Sequence, residues 1–521
     1  MPANKNYFYK IILLVLTLLV LITGMVVFLT PSAIFPDPSW GYQVMRAMQM
    51  GGGFNLLFSP DPANLAKNIT PFLSWWSPGQ YLVPYLFKLV LGINTGQASA
   101  LTSTLCTLCG LAGFFYFFKK LGFTNIITAV SLIVIACQRA FWMPFAFYNG
   151  GEVLLFAFEG WFLYGCVTFV KTDWKLILFV LLSGWIGFIC KSSFVWIYVA
   201  GLLCLWIRLS TGQHNVWGWV KKGFWLGIPA VISMATIYLL YLSKGENPSS
   251  ASGGFKFAFE AFEFPLASPL LAGFSIDDMI NGVLFHTDKA LFSPGPAMVI
   301  LGVSMVISIL LILAILKFVP GKDYKLFIIV FYSVSVLFFS WSFLKQSAIS
   351  YEGRHLRIVG LLIVPGVIYI ISKTNLYWQS IFLLVCIGIG HSSYHFTRIM
   401  HKGNGLSAHG PSGVAQLFID QPSLNYIMAL DRQKKDALFV FISADIGLEI
   451  QRNRIITLEP YDAEIADEDR VPYLGHAGPI YMVLPADYTG SKLATMIKYF
   501  PGYKNFLATP LSKNYMLYTA Q

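Results

Sequence analysis

Charge is what this chain has least of. Of its 521 residues only 12% are Asp, Glu, Lys or Arg, against about 25% in an ordinary soluble domain. With 56% hydrophobic residues and a mean hydropathy of +0.64, a globule in water could not cover itself with polar groups. Lipid is the remaining solvent, and in lipid helices satisfy their own backbone polar groups. Cysteine is scarce as well: there are seven, each in or beside an apolar run, and none follows Cys386. That excludes a disulfide framework. The Cys106/Cys109 pair, a CxxC within an apolar helix, reads as small packing residues. GxGxxG and P-loop patterns are absent, which removes the dinucleotide and nucleotide signatures. No internal repeat is visible. Acids number 25 against 36 Lys and Arg, but the bases punctuate apolar runs and do not cluster as a nucleic-acid binder requires.

What is present is a series of apolar runs long enough to span a bilayer, about eleven of them. They lie near 11–30, 97–118, 124–142, 152–170, 175–190, 193–208, 223–243, 297–317, 324–343, 357–372 and 376–390. The first follows Lys5 and Lys10 without a small-residue cleavage site and reads as a retained signal anchor. With the N-terminus in the cytoplasm, every cytoplasmic turn is basic: Lys119 and Lys120; Lys171 and Lys175; Arg208, Lys221 and Lys222; Lys317, Lys322 and Lys325; Lys373. This obeys the positive-inside rule. An odd number of spans then puts the C-terminus outside. Aromatic residues, 16% of the chain, often flank the runs as an interfacial belt does.

The expected architecture is an all-α polytopic membrane domain over 1–391 with a small extracytoplasmic α/β domain over 392–521. Two large outer loops interrupt the first part, at 31–93 and 244–295. In the first loop Asp37-Pro38 reads as an N-cap and first helical position, starting an interfacial helix that Gly51-Gly52-Gly53 stops. A second short helix follows Trp75-Trp76-Ser77-Pro78-Gly79-Gln80. The second loop, with Phe255, Phe257, Phe259, Phe262 and Phe264, reads as a mobile amphipathic segment resting on the membrane. In the tail, 437–442, 454–458, 480–484 and 515–519 read as strands and 491–499 as a helix.

Ionisable residues at membrane depth are the first place to look for function. Asp37 follows the first span; helix capping alone would explain it. Glu152 opens the fourth span after Asn149-Gly150-Gly151, where an acid complements the helix dipole; Glu159 lies two turns deeper. Lys191, with Ser192 and Ser193, sits in an outer turn against the positive-inside rule. It reads either as a snorkelling side chain or as a phosphate ligand. Arg354, His355 and Arg357 follow Tyr351-Glu352 at the outer end of the tenth span, and Arg139 and Lys345 also face outward. These cations pair with Glu352 and anionic lipid, or form a pocket for a lipid-linked phosphate. Acids that accept a proton beside cations that neutralise a departing phosphate suit sugar transfer; the chemistry alone does not exclude a transporter of anionic lipid.

The order of these features resembles the GT-C superfamily of membrane glycosyltransferases over residues 1–372. The resemblance runs through Phe35-Pro36-Asp37-Pro38-Ser39-Trp40-Gly41-Tyr42, then Ser77-Pro78-Gly79-Gln80-Tyr81-Leu82-Val83-Pro84-Tyr85-Leu86 and the basic pair Lys119-Lys120. It continues through Asn149-Gly150-Gly151-Glu152, Cys190-Lys191-Ser192-Ser193 and Arg354-His355-Leu356-Arg357, with Pro365 closing the last segment. One acid precedes Trp40 where some members carry two, and Ser77-Pro78-Gly79 replaces the family's His-Pro-Pro or Lys-Pro-Pro. The resemblance implies a transferase taking a sugar from a polyprenyl-phosphate donor to an envelope acceptor, at the outer face of a bacterial inner membrane, with no nucleic acid involved. It implies Asp37 as catalytic base and Glu152 as a second acid orienting acceptor or base. Lys191, Arg354, Arg357, His355 and Arg139 become donor-phosphate ligands. Some members need a divalent metal. His286 and Asp288 are the pair here that could bind one, but a solvated loop is the simpler reading, and no metal is expected. A flippase of lipid-linked sugar and a non-catalytic lipid-binding scaffold are the alternatives.

Overall fold

The computed structural model describes residues 5–245, 253–276, 294–347, 349 and 352–521. It contains two compact units: Met1–Thr23 with Ser103–Pro144 and Gly151–Arg398, and Gly24–Thr102 with Phe145–Gly150 and Ile399–Gln521.

Every apolar run of the sequence is helical. In chain order the helices are α1 (Lys5–Phe28), α2 (Pro36–Gln49), α3 (Gly79–Leu91), α4 (Thr95–Lys120), α5 (Asn125–Cys137), α6 (Arg139–Ala146), α7 (Gly151–Thr168), α8 (Trp174–Cys190), α9 (Phe194–Ser210) and α10 (Val216–Leu240). Then come α11 (Glu260–Gly273), α12 (Pro294–Phe318), α13 (Lys322–Leu344), α14 (Arg357–Ile371), α15 (Leu376–Leu406), α16 (Gln421–Gln433) and α17 (Gly490–Lys498). By length and apolarity six can cross a membrane, and a seventh results if α5 and α6 form one bent span. Helices α8, α9 and α14 are apolar but shorter.

Two expectations for the helical unit change. The run at 124–142 is not one helix: α5 and α6 meet at 54°, where Gln138 adopts extended backbone. The break is held by Trp142 Nε1 donating to Ala136 O (2.6 Å) and Gln138 Nε2 donating to Gly273 O (2.7 Å). The second outer loop is not a mobile segment throughout, because residues 260–273 form α11 and pack inside the unit. Ala261, Ala267 and Leu271 are fully buried. Prolines 265 and 269 lie within this helix and remove two amide donors. Side chains of neighbouring helices bind the backbone between and after the two prolines: Tyr332 Oη donates to Leu266 O (2.8 Å), Ser308 Oγ donates to Ala267 O (3.0 Å) and accepts from Leu270 N (3.1 Å). Gly360 of α14 makes the close approach possible, since a Cβ there would lie 2.5 Å from Ala272 C and Gly273 N. Phe255, Phe257 and Phe259, which precede α11, are exposed as an amphipathic lead-in requires. His286, Asp288 and Tyr351 lie outside the described residues.

The second unit contains a sheet in the order β6-β5-β7-β9-β8, formed by β5 (Leu438–Phe441), β6 (Arg454–Thr457), β7 (Ile480–Pro485), β8 (Leu507–Pro510) and β9 (Tyr515–Ala520). Strand β5 is parallel to β6 and β7, and β9 is antiparallel to β7 and β8. Successive side chains of a strand point to opposite faces. Leu438 and Val440 accordingly pack with Met496 and Phe500 near α17, while Phe439 and Phe441 pack with Leu424 and Ile427 of α16. Earlier residues add β1 (Ala33–Ile34), paired in parallel with β4 (Phe147–Tyr148), and the antiparallel pair β2 (Ser59–Asp61) and β3 (Asn64–Ile69). Asp37 is not the N-cap of α2. Phe35 holds that position and Pro36 is the first helical residue. The Phe35 amide is bound to Tyr148 O (2.9 Å), and the helix starts two residues earlier than Asp37-Pro38 implies.

Candidate functional site

In the helical unit the site begins with a close approach. A Cβ on Gly151 would lie 3.1 Å from Cys190 O and 3.2 Å from Lys191 Cγ, so the N-terminus of α7 lies directly against the turn after α8. Lys191 occupies that turn in extended backbone (φ −161°, ψ 134°). Its Nζ donates to Glu152 Oε1 over 2.6 Å. The same oxygen lies 3.5 Å from Arg354 Nη1, and Arg354 Nε is 2.5 Å from Glu352 Oε2. Glu152, Lys191 and Arg354 retain 13%, 15% and 27% of their side-chain exposure. One carboxylate oxygen in the first turn of a helix, where the dipole favours an anion, thus holds two cations facing limited solvent.

The next residues extend this group. His355 lies beside Phe339, ring centroids 6.2 Å apart. Burial first, then the positive charges of Lys191 and Arg354, push its imidazole well below the usual histidine range. It stays neutral at neutral pH and can donate or accept a hydrogen bond. The Arg357 guanidinium lies over the Phe156 ring at 5.0 Å from its centroid, a cation–π arrangement that holds the charge against an apolar wall. Glu159 is buried, with Arg357 and Lys191 the charged groups acting on it.

Not every sequence candidate joins this group. Arg139 stacks on Phe396, 3.6 Å from the ring centroid, and its amide donates to Ser275 Oγ (3.1 Å). Lys345 lies over Trp341 at 4.9 Å. Asp37 belongs to the other unit. There, burial above all, and then the charges of Asp462 and Asp37, push the Glu459 carboxyl up. Glu459 is an acid that sequence reasoning missed; nothing in the tail marks it as a neighbour of Asp37. Glu352 was visible as a partner for the nearby arginines, and the structure places it there. Among the described residues no group of three His, Cys, Asp or Glu side chains converges as a metal site.

No protein-family model matches the sequence, and no curated protein matches it. Several solved structures are similar in fold. ArnT from Cupriavidus metallidurans bound to undecaprenyl phosphate is 11% identical with a TM-score of 0.47, the match covering 98% of each chain. The mycobacterial arabinofuranosyltransferase AftD is 12% identical with a TM-score of 0.45, over 96% of this chain and 39% of its own. The oligosaccharyltransferase AglB from Archaeoglobus fulgidus, in complex with an inhibitory peptide and a dolichol-phosphate, is 9% identical with a TM-score of 0.44, over 99% of this chain and 74% of its own.

Proposed function

We propose that the chain is a GT-C-type glycosyltransferase that moves a sugar from a polyprenyl-phosphate donor to an envelope acceptor. It works at the extracytoplasmic face of a bacterial inner membrane, with about eleven spans and a cytoplasmic N-terminus. The observation that carries this reading is the single Glu152 oxygen shared by Lys191 and Arg354. Two cations held by one carboxylate are already desolvated and already aimed, so a phosphate that enters pays little to reorganise them. Lys191 and Arg354 then take the donor phosphate. Glu152 positions them, Arg357 adds charge from the Phe156 wall, and neutral His355 contributes a hydrogen bond. Arg139, on its separate perch over Phe396, attracts the anionic headgroup. The basic residues named for the cytoplasmic turns support the topology, and Asp37 is the proposed base on the strength of its motif.

A specific observation also favours a lipid-binding scaffold without catalysis: Lys191, Arg354, Glu152 and Glu352 together carry no net charge, as a structural ion-pair network would. The test is release of undecaprenyl phosphate from undecaprenyl-phosphate sugars by the purified protein, wild type against Asp37→Asn. Turnover that collapses in the variant while donor still binds supports the enzyme with Asp37 as base. Donor binding without turnover in wild type, whatever the acceptor, supports the scaffold.

A further inference from the structure

The second unit contains a cleft of about 590 Å³, within the size range of small-molecule sites. Its walls include Arg46, Arg452 and Arg454, with Phe58, Asn68 and Asp436. The arginines come from different elements. Arg46 lies on α2, Arg454 opens the edge strand β6, and Arg452 is in the turn before it.

All three guanidinium groups are held by backbone carbonyls. Arg46 donates to Ile450 O (2.6 Å) and Asn453 O (2.9 Å). Arg454 donates to Leu65 O (2.5 Å) and Ala477 O (3.1 Å), and Arg452 to Arg432 O (3.2 Å). Carbonyls orient these groups without neutralising them, and no carboxylate pairs with any of the three among the described residues. The buried acid Asp431 acts electrostatically on Arg46. Its oxygens are occupied: they accept from the amides of Gln451 (2.9 Å), Arg452 (3.3 Å) and Asn453 (3.1 Å). A buried carboxylate therefore sets the shape of the very turn that presents Arg452 and Arg454. The adjoining turn adds exposed Arg432, Lys434 and Lys435 against the single exposed Asp436.

Guanidinium groups that converge on one cleft, oriented by carbonyls and free of a carboxylate counterion, suit recognition of a carboxylate or phosphate through their remaining N–H groups and their charge. Phe58 and the exposed Asn68 amide supply what a sugar ring uses beside its charge, an apolar face and a hydrogen-bonding group. We infer that the cleft binds an anionic saccharide, one bearing uronic carboxylates or phosphate, as the acceptor or a segment of it. The choice of a saccharide rests on the sugar-transfer reading; the anion site itself does not.

The test is calorimetric binding to the full chain in a detergent with a neutral headgroup. The probes are trigalacturonate, glucose 6-phosphate and maltotriose, and the variants are Arg452→Gln and Ala66→Glu. Arg452 is exposed and gives up one hydrogen bond, and Ala66 is exposed on the wall, so both variants keep the fold. Expected are binding of at least one charged probe and none of maltotriose, with affinity reduced about tenfold in each variant; which charged probe binds tells carboxylate from phosphate. Equal binding of maltotriose, unchanged affinity in both variants, or binding of anionic-lipid nanodiscs without either charged sugar overturns the proposal. None of these readouts needs turnover or touches the Lys191 group, so a failure here is separable from a failure of the transferase reading.

Discussion

Lys191 Nζ lies 2.6 Å from Glu152 Oε1 across the approach that Gly151 permits, and that contact organises the cation group of the helical unit. If Lys191 takes the donor phosphate, Lys191→Ala removes one charge-assisted hydrogen bond, worth about 1.5–3 kcal/mol. Affinity for undecaprenyl phosphate should fall about ten- to a hundredfold. Equilibrium binding to the purified protein measures it, and an unchanged affinity would remove Lys191 from the donor site.

Arg354 reaches two different acids with one guanidinium, Glu152 through Nη1 and Glu352 through Nε. An ammonium is a point charge without that fork. Arg354→Lys is therefore expected to behave as a loss, not as a conservative change, with donor affinity down about tenfold for a deficit of ~1.4 kcal/mol. Recovery of wild-type affinity with Lys would show that charge alone suffices.

Burial pushes the Asp445 carboxyl up to about 6, against the lowering effect of its hydrogen bonds with Ser443 and the Ile446 amide. The group thus holds a proton in the folded state between its ordinary value of 3.8 and about 6, where the unfolded chain has lost it. Stability falls as pH rises through that window, by about 3 kcal/mol in all, and is then flat. Hydrogen exchange across Leu438–Phe441, followed from pH 4 to 7, should show this slope in wild type and a weaker one in Asp445→Asn. An identical slope in the variant would assign the effect to another group.

A methyl group at Gly360 meets backbone atoms of Ala272 and Gly273, not the end of a flexible side chain. Gly360→Ala should therefore push α11 off α14 at a cost of about 1–3 kcal/mol. Limited proteolysis would report it as new cleavage within residues 255–273, and a cleavage pattern like that of wild type would count against the packing described.

The long helices were legible because apolar runs and basic turns are local signals. The bend at Gln138 was not, since its holding partner Gly273 lies far along the chain. Helix α11 reads as a loop for a related reason: Pro265 and Pro269 are breakers in any local rule, and the packing and hydrogen bonds that hold the helix come from Ser308, Tyr332 and Gly360, far along the chain. Helix α16 is absent from the sequence reading although Asp420 caps it and Pro422 lies in its first turn, a signature the sequence does contain. Strand β8 is exposed along its length and has no alternation to read. At the site, Glu152, Lys191 and Arg354 each stood out as charges in the wrong place. Their sharing of one oxygen was invisible, because it depends on a turn and two helix ends meeting.

The stitching of α11 also bears on how the chain is made. Leu266 and Ala267 receive hydrogen bonds from Tyr332 and Ser308 respectively, residues synthesised after α11 itself. Pro265 and Pro269 leave the carbonyls of Ala261 and Pro265 without helical donors, so the segment depends more than a regular helix on what packs around it. The contacts that hold α11 in the fold are therefore complete only once α12 and α13 are in place, so packing at that point runs against the order of synthesis.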